Sequence, residues 1–108
     1  DMVFDVRFLP NPFYIERLRD CTGKDRAVQE YVLDWPVTKK FLAKVVELIE
    51  FLIPHFIKEG KTSLVLSIGC TGGRHRSVTI AEELGSRLSA NKHRVFVQHR
   101  DVEKDMEE

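Results

Sequence analysis

With 108 residues, 43% of them hydrophobic, the chain has the size and composition of one globular domain built around a single core. Seventeen Lys plus Arg balance seventeen Asp plus Glu, which excludes the strongly basic type of nucleic-acid binder, and two cysteines exclude a disulfide framework or a cysteine-rich metal site. No apolar stretch reaches the ~18–20 residues that a membrane-spanning helix needs, because Lys44, Glu47 and Glu50 interrupt the longest candidate.

The charge balance hides an asymmetry. Residues 101–108 carry five carboxylates and one lysine, and setting them aside leaves 16 basic and 12 acidic residues. The body is therefore modestly basic and the tail acidic. The chain opens at Asp1 rather than at an initiator Met, as expected of a fragment of a larger protein. No signal-peptide pattern is present, and a reactive thiol at Cys70 suits a reducing cytoplasm.

The alternation of Phe4, Val6 and Phe8 against Val3, Asp5, Arg7 and Leu9 predicts a strand over 3–9. Pro10-Asn11-Pro12 ends it, since proline donates no ladder hydrogen bond. Period two places Asp5 and Arg7 on one face. They are expected either to form a surface ion pair or, with Asn11, to approach the Cys70 loop. Short helical turns are expected around 14–18 and 25–32, separated by the loop signal Thr22-Gly23-Lys24-Asp25, with Asp25 as the cap of the second.

A long helix is predicted over 37–56, its stripe formed by Phe41, Val45, Leu48, Leu52 and Phe56 and widened by Leu42, Val46, Ile49 and Ile53. Pro54 is expected to kink or end it. The apolar run 62–68 predicts a central parallel strand covered on both faces. A helix opens at about Arg76, with Val78, Ala81, Leu84 and Leu88 inward, and stops near Asn91. Residues 93–98 predict a third strand, with Val95 and Val97 on one face and Phe96 on the other. The expected fold is a small three-layer α/β domain with a largely parallel sheet, spanning 1–108 as one domain.

The run from Ser67 to Val78 carries the chemistry. A strand enters a Gly-rich turn and a helix follows, so main-chain amides, Cys70, Thr71, Arg74, His75, Arg76 and Ser77 share one small volume. Gly72 and Gly73 permit the positive φ that curls amides into an anion nest. The open N–H groups and dipole of a helix start favour negative charge. Arg76 offers a planar fork to two oxygens, Cys70 among these cations is expected to gain thiolate character, and Ser77 is placed to bond the sulfur or cap the helix. Ligands of parallel sheets bind beyond the carboxyl ends of the strands, and His99 and Arg100 follow the third predicted strand. They either add positive charge there or, for His99, bond the main chain at the strand end.

Cys70, five residues, then Arg76 and Ser77 also fit the signature of cysteine-dependent phosphatases, in which a thiolate attacks phosphorus and an aspartate protonates the leaving group. No such acid is evident. Asp34-Trp35-Pro36 has the letters of an acid loop in the wrong order, ahead of a helix, and Gly69 stands where these enzymes usually have a histidine. His99-Arg100-Asp101 opens a kinase catalytic loop, but no Gly-rich loop or strand lysine accompanies it. Binding is favoured over catalysis.

Gly69 to Val78, together with Asp5-Val6-Arg7-Phe8-Leu9-Pro10-Asn11-Pro12, closely resembles the C-terminal domain of the RNase adapter RapZ family. Leu18, Thr22-Gly23-Lys24-Asp25, Ala81-Glu82 and His99-Arg100 match as well, so the resemblance covers essentially the whole chain. It implies an N-terminal P-loop domain that binds ATP or GTP. No Gly-x4-Gly-Lys-Ser/Thr run occurs here, so this domain itself is expected to carry no nucleotide cofactor, and its two cysteines offer no metal spacing, so no metal is expected either. The resemblance further implies a sensor of an amino-sugar phosphate such as glucosamine-6-phosphate, a small regulatory RNA and a ribonuclease as partners, homo-oligomerisation, and no membrane association. Phe13-Tyr14 stand where RNA-adapter members carry a His-Trp pair, which removes one imidazole.

The leading expectation is a regulatory ligand-binding domain. In it Cys70, Thr71, Gly72, Gly73, Arg74, His75, Arg76 and Ser77 cradle a phosphate, Asp5, Arg7 and Asn11 orient the rest of the ligand, and Arg100 adds charge. Rival expectations are a phosphatase using Cys70 and Arg76, and an RNA-binding or oligomerisation module.

Overall fold

A computed structural model describes residues 1–70 and 75–99. Two strands, β1 (Met2–Asp5) and β2 (Leu66–Gly69), pair in parallel with Met2 opposite Leu66 and Asp5 opposite Gly69. Parallel strands cannot be joined by a tight turn. The crossover here contains two short 3-10 helices (Pro12–Tyr14 and Glu16–Leu18), α1 (Arg26–Leu33) and α2 (Pro36–Lys58), and α3 (Arg76–Ala90) follows β2. The domain is thus α/β with a parallel sheet, as the pattern predicts.

Helix α2 begins at Pro36, whose fixed φ suits the first helical position and whose missing N–H would go unbonded there anyway. It runs through Pro54 to Lys58, so of the two expected effects of Pro54, a kink or an end, the end does not occur. Ile49 before the proline and Ile53 beside it both pack on the core, and that tertiary anchoring holds the helix across the lost hydrogen bond. Gly60, at φ +84°, ends it, and the Lys61 amide reaches back to the Phe56 carbonyl at 3.0 Å. The buried stripe is Thr38, Leu42, Val45 and Ile49. Its phase is rotated from the expected one, leaving Leu48 exposed.

The core joins that stripe to Val6, Leu9, Leu18, Val28 and Val32 from the first third of the chain and to Ile80, Leu84 and Leu88 of α3. Asp25 stands at the N-cap position of α1, yet its carboxylate accepts the Thr22 amide at 2.7 Å and so closes the preceding turn instead. Helix α3 starts at Arg76 and is capped at Asn91, matching the predicted bounds.

Three strand expectations require correction. β1 stops at Asp5 instead of reaching Leu9, because the chain turns inward there. The Leu9 amide bonds the Val6 carbonyl at 3.1 Å, and Val6 and Leu9, three residues apart, are both buried. β2 is confined to Leu66–Gly69 and alternates half-buried with exposed positions, so one face is open rather than both being covered. Residues 93–98 form no strand. Val95 and Val97 lean on α3 at Gly85, where an added Cβ would lie 2.7 Å from a Val97 methyl, and no main-chain bond joins this segment to β2 among the described residues.

Candidate anion site at the carboxyl end of the sheet

The parallel register sets Asp5 beside Gly69, so the chain leaving β1 and the chain leaving β2 depart from the same end of the sheet. The Val6 amide continues the ladder with a 2.7 Å bond to the Gly69 carbonyl. Helix α3 then returns to this end with its N-terminus.

Arg76 is the first residue of α3 and is 4% exposed. Its Nη1 donates to the main-chain carbonyls of Arg7 and, at 3.3 Å, Leu9. The guanidinium therefore clamps the turn after β1 onto the start of α3. Among the described residues, its Nε is buried with no hydrogen-bond partner. Buried polar groups of this kind are rare and carry a cost, so this side chain retains unspent donor capacity beside the turn.

At the same helix start, the Ser77 amide donates to the Cys70 sulfur at 3.3 Å. That bond places the thiol against the positive end of α3. The donor to the sulfur is thus the Ser77 main chain, where the sequence pointed to its hydroxyl. His75 fills the N-cap position with no capping bond from its side chain, and its Nε2 lies 3.2 Å from the Arg19 carbonyl. His75, Arg76 and Ser77 are all buried.

Asp5 and Arg7 form the exposed rim. Asp5 Oδ1 accepts the Arg7 amide at 3.0 Å, and Oδ2 meets Arg7 Nε at 2.7 Å. The bond from the Arg7 amide, more than any other influence, holds the Asp5 carboxyl below its ordinary value, with the Arg7 side chain and the Arg76 charge acting in the same direction. Slight burial opposes them. Asn11 is committed locally: its Oδ1 accepts the Phe13 amide at 3.0 Å and caps the first 3-10 helix.

The structure thus gathers Asp5, Arg7, Cys70, His75, Arg76 and Ser77 at one end of the sheet. Thr71, Gly72, Gly73, Arg74 and Arg100 lie outside the described residues. His99 is 8% exposed at its side chain and bonds Glu82 of α3 at 2.7 Å, so its partner is a carboxylate and not the main chain. Among the described residues, no cluster of metal-ligating side chains occurs.

Sequence reasoning missed Gly23. It is buried against the first turn of α3, where an added Cβ would lie 2.5 Å from the Thr79 nitrogen and 2.6 Å from the His75 carbonyl oxygen. The loop signal at 22–25 is visible in the sequence, but its contact with the site is not. The Arg19 carbonyl is likewise invisible to side-chain patterns.

The sequence profile of the RapZ C-terminal domain matches residues 1–103. The chain belongs to this family. A nucleotide-binding protein of Caldicellulosiruptor saccharolyticus is 59% identical over 106 residues, covering 98% of this chain and 36% of that protein. One from Clostridium kluyveri is 57% identical with the same coverage. One from Carboxydothermus hydrogenoformans is 55% identical over 108 residues, covering 100% of this chain and 37% of its own length. This RapZ C-terminal domain therefore spans about a third of the length of the curated relatives it matches. No helix among its described residues is long and apolar enough to cross a membrane.

Proposed function

We propose that this RapZ C-terminal domain is the metabolite-sensing part of a larger nucleotide-binding protein, and that the carboxyl end of its sheet takes a phosphorylated small molecule. The observation that carries the reading is the seam itself. A buried Arg76, its Nε without a partner among the described residues, stands at the N-terminus of α3, next to a thiol held by that terminus. Helix amides and a guanidinium together suit a doubly charged ester.

The rim adds selectivity. Asp5 is held in its carboxylate form beside the site, so a ligand bearing an ammonium group or hydroxyls in addition to phosphate complements it. Amino-sugar phosphates, with glucosamine-6-phosphate as the example, have that chemistry. The surrounding protein, on the same reading, binds ATP or GTP on its N-terminal domain, works in the cytoplasm as a homo-oligomer, and engages a small regulatory RNA and a ribonuclease. A ligand held differently in two states of the domain would shift those activities by linkage.

Calorimetry tests the reading. Glucosamine-6-phosphate should bind more tightly than glucose-6-phosphate, and Asp5→Asn should remove the difference while leaving phosphate binding in place. Equal affinities in the parent protein would refute the role of Asp5, and no binding of either would refute the site. Turnover of an aryl phosphate that is lost in Cys70→Ser would instead establish the phosphatase reading.

A further inference from the structure

A groove of about 580 Å³ is lined by β2, α2, α3 and residues 93–98. Its walls are largely apolar, with Ile53, Leu66, Ile68, Leu84 and Leu88 among them. β2 uses only one of its two edges, since β1 is its sole strand partner among the described residues. The other edge offers main-chain donors and acceptors without a strand to meet them, an arrangement that proteins ordinarily cover.

Residues 93–98 line this groove as a strap that pairs with no strand among the described residues. Lys92, at φ +72°, turns the chain back after α3. The strap has the alternation of a strand: Val95 packs on the core, while Phe96 is 85% exposed. It is pinned at both ends. His93 meets Glu50 of α2 at 2.6 Å, and His99 meets Glu82 of α3 at 2.7 Å. Gly85 gives it close access to α3, since any side chain there would strike Val97. A β-branched segment thus runs beside an open strand edge, and among the described residues no main-chain bond joins the two.

We propose that residues 93–99 close onto the outer edge of β2 as a third parallel strand when an anion occupies the Cys70 end of the sheet. The inference rests on the anion-site reading and deepens it. A strand, a helix and a second parallel strand form the standard right-handed crossover, and α3 with its short return at 91–92 supplies the connection. Parallel pairing brings the carboxyl end of the strap level with Gly69 and Cys70. His99 then lies at the end where Asp5 and the start of α3 already converge, and an anion there competes with Glu82 for the imidazole. The anion therefore binds the closed form better than the open one, which is the condition for shifting the equilibrium between them. Closure also covers the apolar groove.

Hydrogen exchange at the amides of 95–97 tests this in the 108-residue chain, comparing inorganic phosphate with chloride at matched ionic strength. Calorimetry on the same samples reports binding independently. Bound phosphate should slow exchange at the β2-facing amides of the strap about tenfold or more, as expected when a solvent-exposed segment joins a sheet. Val97→Pro, which cannot donate to the ladder, should abolish that protection while the amides of β1 and β2 keep theirs. Measured phosphate binding with unchanged exchange at 95–97 would overturn the strap while leaving the anion site standing. Full protection in chloride alone would overturn it too, since the third strand would then be permanent. Absence of phosphate binding would remove the anion site and the linkage with it.

Discussion

Arg76→Met is the sharpest test of how the site is built. Methionine keeps the length of the apolar stem and discards the guanidinium. The Arg7 and Leu9 carbonyls lose their common donor, and the turn after β1 loses its tie to α3. A hydrogen bond from a charged donor contributes about 1.5–3 kcal/mol, so two such bonds contribute roughly 3–6 kcal/mol. Against this, the substitution removes an Nε that is buried without a partner, a relief of about 1–3 kcal/mol. Taking the middle of each range, the net expectation is a destabilisation of roughly 2–3 kcal/mol, a sizeable share of the ~5–15 kcal/mol typical of a domain. At about 4–8 °C per kcal/mol for a chain of this size, the thermal midpoint should fall by roughly 10–25 °C.

Urea and thermal unfolding followed by circular dichroism measure this directly. The helices should remain native-like at low temperature, because the core cluster does not include Arg76. Phosphate provides a second reading on the same samples. At about a hundredfold excess over its dissociation constant a ligand adds about 2.7 kcal/mol to a parent that binds it, and the methionine variant should show no such gain. A variant that melts within about 3 °C of the parent would refute the clamp, since that interval corresponds to under 1 kcal/mol. A variant that melts lower yet keeps the full phosphate gain would refute the part of Arg76 in binding.

Gly23→Ala should destabilise by about 1–3 kcal/mol or more through overpacking, because the new Cβ meets main-chain atoms of His75 and Thr79 that cannot rotate away; an unchanged urea midpoint would contradict that close approach. Asp5 makes a prediction about pH. Its folded value lies below the ordinary 3.8, so its stabilising contribution is complete above that value and is lost as pH falls through the lowered folded one. A carboxyl titration followed by NMR should therefore place the Asp5 midpoint below 3.8, and Asp5→Asn should flatten the acid limb of the stability profile. A midpoint at or above 3.8 would show that the Arg7 amide bond does not persist in solution.

Much of the helical frame was legible in the sequence because helices announce themselves locally. Pro36 at the start of α2 and Asn91 at the end of α3 act through local chain chemistry that needs no distant partner. The sheet was less legible, since strand pairing depends on residues far apart in the chain. The run 93–98 has every local feature of a strand, and its alternation survives, but its inner face is seated on α3 at Gly85 rather than paired with β2. Likewise, the width of the apolar band on α2 hid its phase. Nine apolar candidates left several equivalent stripes, and the choice of Leu42, Val45 and Ile49 depends on what packs opposite.

The site divides in the same way. That Asp5, Cys70, Arg76 and Ser77 belong together followed from a strand-to-helix turn and a shared motif, and the register of Asp5 against Gly69 brings them to one end. What they do there did not follow. Arg76 was expected to face a ligand, yet part of its fork is occupied by two main-chain carbonyls. Carbonyl oxygens are common to every residue and leave no trace in a sequence pattern. This double duty has a functional consequence: the residue that would meet an arriving phosphate also fixes the turn that carries Asp5 and Arg7. On the proposed reading, a shift in the guanidinium on binding would be transmitted to the rim through these two hydrogen bonds.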